Sequence, residues 1–265
     1  MKKREVGTSG ARVGRLYGLN PVLEALRAGR RAIDQITIAD GARHPRLDEL
    51  IALARTHQVP VRRAPRAALD REAGDEKHQG VIASVGAARY ADLDQLLDVV
   101  AGQVGTDSPP LVLVLDGVED PRNFGAILRT AECAAVDGVV IAERRAVGLN
   151  ETVAKAAAGA VEYVPVARAG NIVRLIEQLK ERNLWVVGAD SEAQMRYTDW
   201  DWKLPAALVL GSEGSGLHRL VRERCDTLIS IPLFGRVGSL NVSVAAGVIM
   251  FEVQRQRGFP RPSRK

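Results

Sequence analysis

Apolar positions in the first third of the chain follow two alternating periods. Leu19, Val22, Leu23 and Leu26 in LNPVLEALRAG have helical spacing, and Gly29 closes the run. IDQITIA, from Ile33 to Ala39, alternates as a strand does. PRLDELIALARTHQ then predicts a helix, VPVRR a strand, PRAALDRE a short helix and GVIASV, Gly80 to Val85, a strand. This αβαβαβ order predicts a small α/β domain over residues 15–88. ADLDQLLDVVAG predicts a connecting helix, and GQVGTDSPP has the Gly, Ser and Pro content of a linker, so residues 89–110 are expected to join two domains.

Beyond residue 110 the pattern changes. LVLVL, GVVIA, VEYVPV, LWVVGA, AALVLG and LISI are short, continuously apolar runs, most of them separated by helical stretches. A parallel strand covered on both faces needs continuous apolarity rather than alternation. Residues 111–257 are therefore expected to form a larger domain. The fold class is α/β, with a ligand expected at the carboxyl ends of the strands. Residues 1–14 read as a mobile basic arm and 258–265 as a basic tail.

Composition adds constraints. Hydrophobic residues at 46% and charged residues at 26% suit a globular chain of 265 residues. No apolar run approaches a membrane span, and the N-terminus lacks the apolar stretch of a signal peptide, so a cytoplasmic location is expected. Cys133 and Cys225 give neither a disulfide framework nor a CxxC spacing. His44, His57, His78 and His218 are scattered, and no metal site is expected. The net charge of +5 is unevenly placed: residues 1–86 hold 16 Lys and Arg against 10 Asp and Glu, and the remainder 21 against 22. That asymmetry suggests a polyanion-binding module joined to a nearly neutral one, although a solvated basic surface gives the same count.

Three segments carry candidate chemistry. Asp116 to Arg122 form a polar loop after LVLVL, and Asn123 stands before AILRTAECAA, either as a helix cap or as a site residue. Arg129 and Glu132 can share a face of that helix, as a site pair or a routine ion pair. GSEGSG, Gly211 to Gly216, follows AALVL. Its glycines do not match the dinucleotide fingerprint GxGxxG, and no GK[ST] follows. What remains is a turn that a ligand can approach closely, with Glu213 at its centre, or a purely structural turn. In IPLFGRVGSLNVSVAAG, Ser239 is placed to cap a helix starting near Leu240, on which Val242, Ala246, Ile249 and Val253 share a face.

Taken together, DGVEDPRNFGAILRTAE, LVLGSEGSGL and IPLFGRVGSLNVSVA resemble, in order and spacing, the three motifs of the SpoU family. These are S-adenosylmethionine-dependent RNA ribose 2'-O-methyltransferases of the SPOUT superfamily. YGLNPVLEALRAG and HQGVIASV resemble the L30e-like RNA-binding domain of bacterial 23S rRNA members. The subgroup matched best methylates a guanosine ribose in the peptidyl-transferase region of 23S rRNA. The resemblance implies a C-terminal trefoil-knot methyltransferase domain, S-adenosylmethionine as cofactor, and a homodimer acting on 23S rRNA or a large-subunit assembly intermediate. It implies catalytic roles for Asn123, Arg129, Glu213 and Asn241, and cofactor contacts through the backbone of Gly211, Ile231 and Leu240. Arg62, Arg63, Arg122 and Ser239 are expected to meet RNA. A tRNA guanosine methyltransferase, a 23S rRNA resistance methyltransferase and an inactive RNA-binding assembly protein are the alternatives at this stage.

Overall fold

A computed structural model describes residues 14–86, 88–144 and 146–258. The expected N-terminal arm and basic tail lie outside the described residues, except that Gly14 opens the first strand and Gly258 follows the last helix. The chain divides into two compact units, Met1–Arg89 and Tyr90–Lys265.

The N-terminal unit runs β1 (Gly14–Tyr17), α1 (Leu19–Ala28), β2 (Ile33–Ala39), α2 (Leu47–Thr56), β3 (Val61–Ala64), α3 (Arg66–Ala73) and β4 (Val81–Val85). The expected αβαβαβ order thus gains a leading strand, which at four residues is too short to show a period. The sheet order is β1-β4-β2-β3, with β4 antiparallel to both neighbours and β2 parallel to β3. Leu19, Val22, Leu23 and Leu26 are all buried, as their spacing predicts. Gly29 ends α1 in the left-handed conformation, its N–H donating to the Ala25 carbonyl.

The C-terminal unit begins one element earlier than expected. The predicted connecting helix, α4 (Leu93–Ala101), buries Leu96, Leu97 and Val100 in this unit's own core and so belongs to it. The unit continues with β5 (Leu111–Asp116), α5 (Pro121–Cys133), β6 (Gly138–Ala142), α6 (Glu151–Ala156), β7 (Val166–Ala169), α7 (Ile172–Glu181) and β8 (Trp185–Ala189). It ends with β9 (Met195–Arg196), β10 (Ala206–Gly211), α8 (Arg219–Arg224), β11 (Thr227–Ser230) and α9 (Val242–Gln256). VEYVPV is not one strand. A single 3-10 turn, Ala160–Glu162, buries Ala160 and Glu162, and β7 starts only at Val166.

All seven strands run parallel in the order β7-β6-β5-β10-β8-β11-β9. Side chains of β5 alternate between two cores, as strand geometry requires. Leu111, Leu113 and Leu115 pack with Phe124, Ile127 and Leu128 of α5 and Ile249 of α9, whereas Val112 and Val114 pack with α4 and with Leu175 and Ile176 of α7. Covering both faces leaves the strand ends as the places where a ligand can meet the sheet. β10 returns between β5 and β8, so three sequence-distant segments end side by side.

Candidate functional site

Those strand ends border a cavity of about 530 Å³. Ala189 at the end of β8, Gly211 at the end of β10 and Ile229 of β11 line it, together with Ile231, Ser239, Leu240 and Asn241 of the loop before α9. Its volume suits a small-molecule ligand.

The GSEGSG segment folds into a closed turn. Ser212 and Gly216 exchange both backbone hydrogen bonds, each 3.0 Å, and Gly214 and Gly216 take positive φ of 89° and 65°. A Cβ at Gly211 would overlap the backbone of Gly216. Glycine is therefore required at that position for the loop to fold back on the strand, and the turn presents Glu213 outward. The cavity wall is largely backbone and apolar, with Leu210, Ile229, Ile231 and Val242 among its side chains. The backbone N–H groups of Ile231 and Leu240 donate to no partner among the described residues. They remain available to a ligand recognised through the main chain.

Asn123 is not a helix cap. Asp120 holds that position, its Oδ1 accepting from the N–H groups of Arg122 (2.6 Å) and Asn123 (3.0 Å), and Pro121 fills the first helical position. The carboxamide of Asn123 is thereby freed for other contacts. Its Nδ2 donates to Glu213 Oε1 at 2.6 Å across 90 residues of sequence. Asn241 Nδ2 donates to the same oxygen at 2.7 Å and to Asn123 Oδ1 at 3.1 Å. Asn241 also caps α9, because its Oδ1 accepts from Ser243 N at 2.9 Å, which corrects the expected cap at Ser239. One carboxylate and two carboxamides from three separate segments thus lock together at the cavity edge. Charge-assisted hydrogen bonds of this kind fix all three side chains in orientation.

Gly211, Ile231, Leu240, Ser239, Glu213 and Asn241 all line the large cavity. Arg129 stands apart from them. It is exposed on α5, lines neither this cavity nor its neighbour, and forms no hydrogen bond or ion pair among the described residues, so the expected pairing with Glu132 is absent there. It lies six positions after Asn123, about 9 Å further along the helix axis and on another face. Arg122 is also exposed, beside Asn123. In the N-terminal unit Arg62 and Arg63 lie on β3, one of the sheet's two edge strands, and Arg62 Nε donates to Thr37 Oγ1 at 3.1 Å.

Two site features escape a reading by motif. Asp116, buried at the end of β5, holds His218 through the backbone N–H and the ring, and His218 lines a neighbouring cavity. The D-P pair at Asp120–Pro121 was the available signal for the true start of α5. Neither thiol is primed for nucleophilic chemistry: burial pushes Cys225 up to about 12 and also raises Cys133. No group of three or more His, Cys, Asp or Glu among the described residues is arranged to hold a metal ion. No helix of the described residues is long and apolar enough to cross a membrane.

Comparison with known proteins shows the family. Residues 110–251 match the SpoU rRNA Methylase family, and residues 15–91 match the RNA 2'-O ribose methyltransferase substrate binding domain. The chain is 45% identical over 243 residues to the 23S rRNA (guanosine-2'-O-)-methyltransferase RlmB of Ralstonia nicotianae, covering 91% of this chain and 95% of that one. It is 44% identical over 242 residues to YacO of Bacillus subtilis, assigned to the TrmH family of tRNA/rRNA methyltransferases, with 91% and 95% covered. An AdoMet-bound rRNA methyltransferase from Sinorhizobium meliloti superposes with a TM-score of 0.75 at 26% identity, covering 92% of this chain and 87% of that one. The chain thus belongs to the SpoU methylase family of RNA ribose 2'-O-methyltransferases, whose cofactor is S-adenosylmethionine.

Proposed function

We propose that the protein methylates the 2'-oxygen of a guanosine in the peptidyl-transferase region of 23S rRNA. The observation that carries this reading is the Asn123–Glu213–Asn241 cluster at the edge of the 530 Å³ cavity. The rRNA assignment is supported by the substrate-binding match over residues 15–91 and by the 45% identity to RlmB. Gly211, Ile231 and Leu240 contact the cofactor through their backbones, and Ser239 faces the same space. The trefoil threading of the chain belongs to this proposal and is compatible with the return of β10 between β5 and β8.

S-adenosylmethionine supplies an activated methyl group. The protein must hold the ribose hydroxyl in line with it and exclude competing geometries. Positioning of this kind can supply about 7–11 kcal/mol of the lowering of the barrier. Glu213 and Asn241 orient the nucleotide, with Asn123 buttressing both. Arg129 binds the adjoining phosphate and stabilises charge developing on the oxygen, since a guanidinium stays protonated and is a donor only.

The separation of Arg129 from the cluster supports a homodimer in which one subunit's Arg129 completes its partner's site. Phe234, Val237, Val244 and Phe251 are exposed apolar side chains on the loop before α9 and on α9, as an unfilled subunit contact requires. Residues 14–86 grip the RNA through phosphate contacts, with Arg62 and Arg63 on edge strand β3. Such binding weakens steeply with salt.

The test is methyl transfer from labelled S-adenosylmethionine to 23S rRNA, 16S rRNA and tRNA, each lacking native modifications, with the product nucleoside identified by mass spectrometry. 2'-O-methylguanosine in 23S rRNA is the expected product. Label in tRNA alone would keep the chemistry and overturn the rRNA assignment. An Arg129→Lys variant retaining wild-type activity would overturn the planar phosphate-binding role of that residue.

A further inference from the structure

A second cavity, about 450 Å³, shares Ser212, Glu213 and Val242 with the first and is lined also by Asn123 and His218. His218 is held there by a buried carboxylate. Asp116, the last residue of β5, is 4% exposed. Its Oδ2 accepts the His218 backbone N–H at 2.8 Å, and its Oδ1 lies 2.9 Å from His218 Nδ1. A carboxylate only accepts, so Nδ1 carries the hydrogen, and in the neutral ring Nε2 is the basic nitrogen. Nε2 has no partner among the described residues, and the side chain is 56% exposed. Gly117, at φ 84°, makes room for the ring: a Cβ there would stand 3.3 Å from His218 Cε1 and 3.4 Å from Ser212 Cβ.

A base oriented by a buried acid, beside the residues that hold the nucleotide, is the arrangement general-base chemistry needs. We propose that His218 is the group that takes the proton from the ribose 2'-hydroxyl, with Asp116 as its positioning residue. The inference rests on the reading above, in which Glu213 and Asn241 orient the nucleotide, and it sets the ribose where the two cavities meet at Glu213. The 2'-oxygen forms its new bond to the methyl carbon as that carbon's bond to sulfur breaks, and the bonding pair leaves with sulfur. The hydroxyl proton passes to Nε2 and from there to solvent. Arg129 then stabilises charge while His218 removes the proton, which separates two tasks that a guanidinium cannot combine.

His218→Asn is the discriminating variant, because its carboxamide keeps a donor for Asp116 and lacks the basic nitrogen. With S-adenosylmethionine and an unmodified 23S rRNA transcript, the single-turnover rate is expected to fall about 10²–10⁴-fold. RNA affinity by filter binding and cofactor affinity by calorimetry are expected to stay within about twofold of wild type, a change too small to explain the lost rate. Wild type is expected to lose rate on acidification along a limb that His218→Asn lacks. Asp116 from β5, Glu119 and Asp120 from the loop before α5, and Glu213 from the loop after β10 also face this space. An acid limb that persists in His218→Asn would belong to those carboxylates and overturn the proposal. Added imidazole is expected to restore part of the rate of His218→Ala. No transfer by wild type to 23S rRNA, 16S rRNA or tRNA would overturn the functional reading and this inference together. Active wild type with His218→Asn equal to it in rate and pH profile would overturn this inference alone.

Discussion

The C-terminal sheet is buried on both faces by α4 and α7 on one side and α5 and α9 on the other, so its chemistry is confined to loops at the strand ends. The N-terminal sheet instead places two arginines directly on an edge strand, where β3 is exposed along most of its length. On the proposed reading, the C-terminal unit recognises its ligand through backbone shape, with glycines deciding which atoms can approach, and the N-terminal unit recognises RNA through charge, which is long-range and tolerant of small displacements. The contrast fits a division of labour in which a reactive small molecule needs an exact cavity and a long polyanion needs a charged rail. It also gives ways to damage one unit and leave the other working.

Phe124→Ala should have the largest effect. Phe124 is fully buried in the core shared by β5, α5 and α9, and removing it is expected to cost the C-terminal unit about 3–5 kcal/mol. Hydrogen exchange should show lost protection in β5 and β10 with β2 and β4 unchanged. Equal loss in both sheets would show that the two units do not unfold separately.

Gly211→Ala comes next. Its Cβ would meet the Gly216 backbone, so the GSEGSG turn cannot close as it stands. Cofactor affinity by calorimetry should fall about 100-fold, or ~2.7 kcal/mol, whereas RNA binding by filter assay should barely move. Undiminished cofactor binding would mean that the turn is not part of that site.

Asn241→Ala is a smaller, double perturbation. It removes the cap of α9, worth about 1 kcal/mol, and one of the donors to Glu213. Asn241→Asp would restore the cap but set a second carboxylate against Glu213. Thermal unfolding should therefore separate the two variants, with Asp closer to wild type, while methyl transfer should be impaired in both. Full activity in either would detach the cluster from catalysis.

Much of this contrast is legible in the sequence, and the reasons for the gaps are physical. Continuous apolar runs such as LVLVL and AALVL have the length of a buried strand rather than of a helix, and both are central in the sheet. β1 and β9, of four and two residues, and α6 and α8, of six each, carry no continuous apolar run and are too short to show a period. VEYVPV misleads because its first residues belong to the 3-10 turn Ala160–Glu162 and only Val166 opens β7, although Val164 between them is also buried. The role of α4 was hidden because an amphipathic helix does not say which core it covers. Strand order, and with it the meeting of Asn123, Glu213 and Asn241, depends on contacts across 90 and 118 residues, which no local pattern encodes. The motif resemblance supplied that grouping, yet it carried Arg129 into the same site, where the single chain does not place it.

The smallest effects should come from the charged edge, and they sharpen the comparison most. Arg62 and Arg63 are neighbours on β3, so their side chains leave opposite sides of the strand, and Arg62 is tethered by Thr37. A phosphate backbone running along the edge could use both, whereas one crossing a single face would use one. Each arginine that neutralises a phosphate contributes about one unit to the slope of log affinity against log salt. Arg62→Ala and Arg63→Ala, measured singly and together by filter binding of 23S rRNA at several salt concentrations, should lower that slope by about one each and about two combined if the strand is tracked along its edge. A loss from only one variant would place the RNA on one face. Cofactor affinity should be unchanged in all three proteins, because a charge on β3 has no part in a cavity whose shape is set by the turn after β10 and the loop before α9.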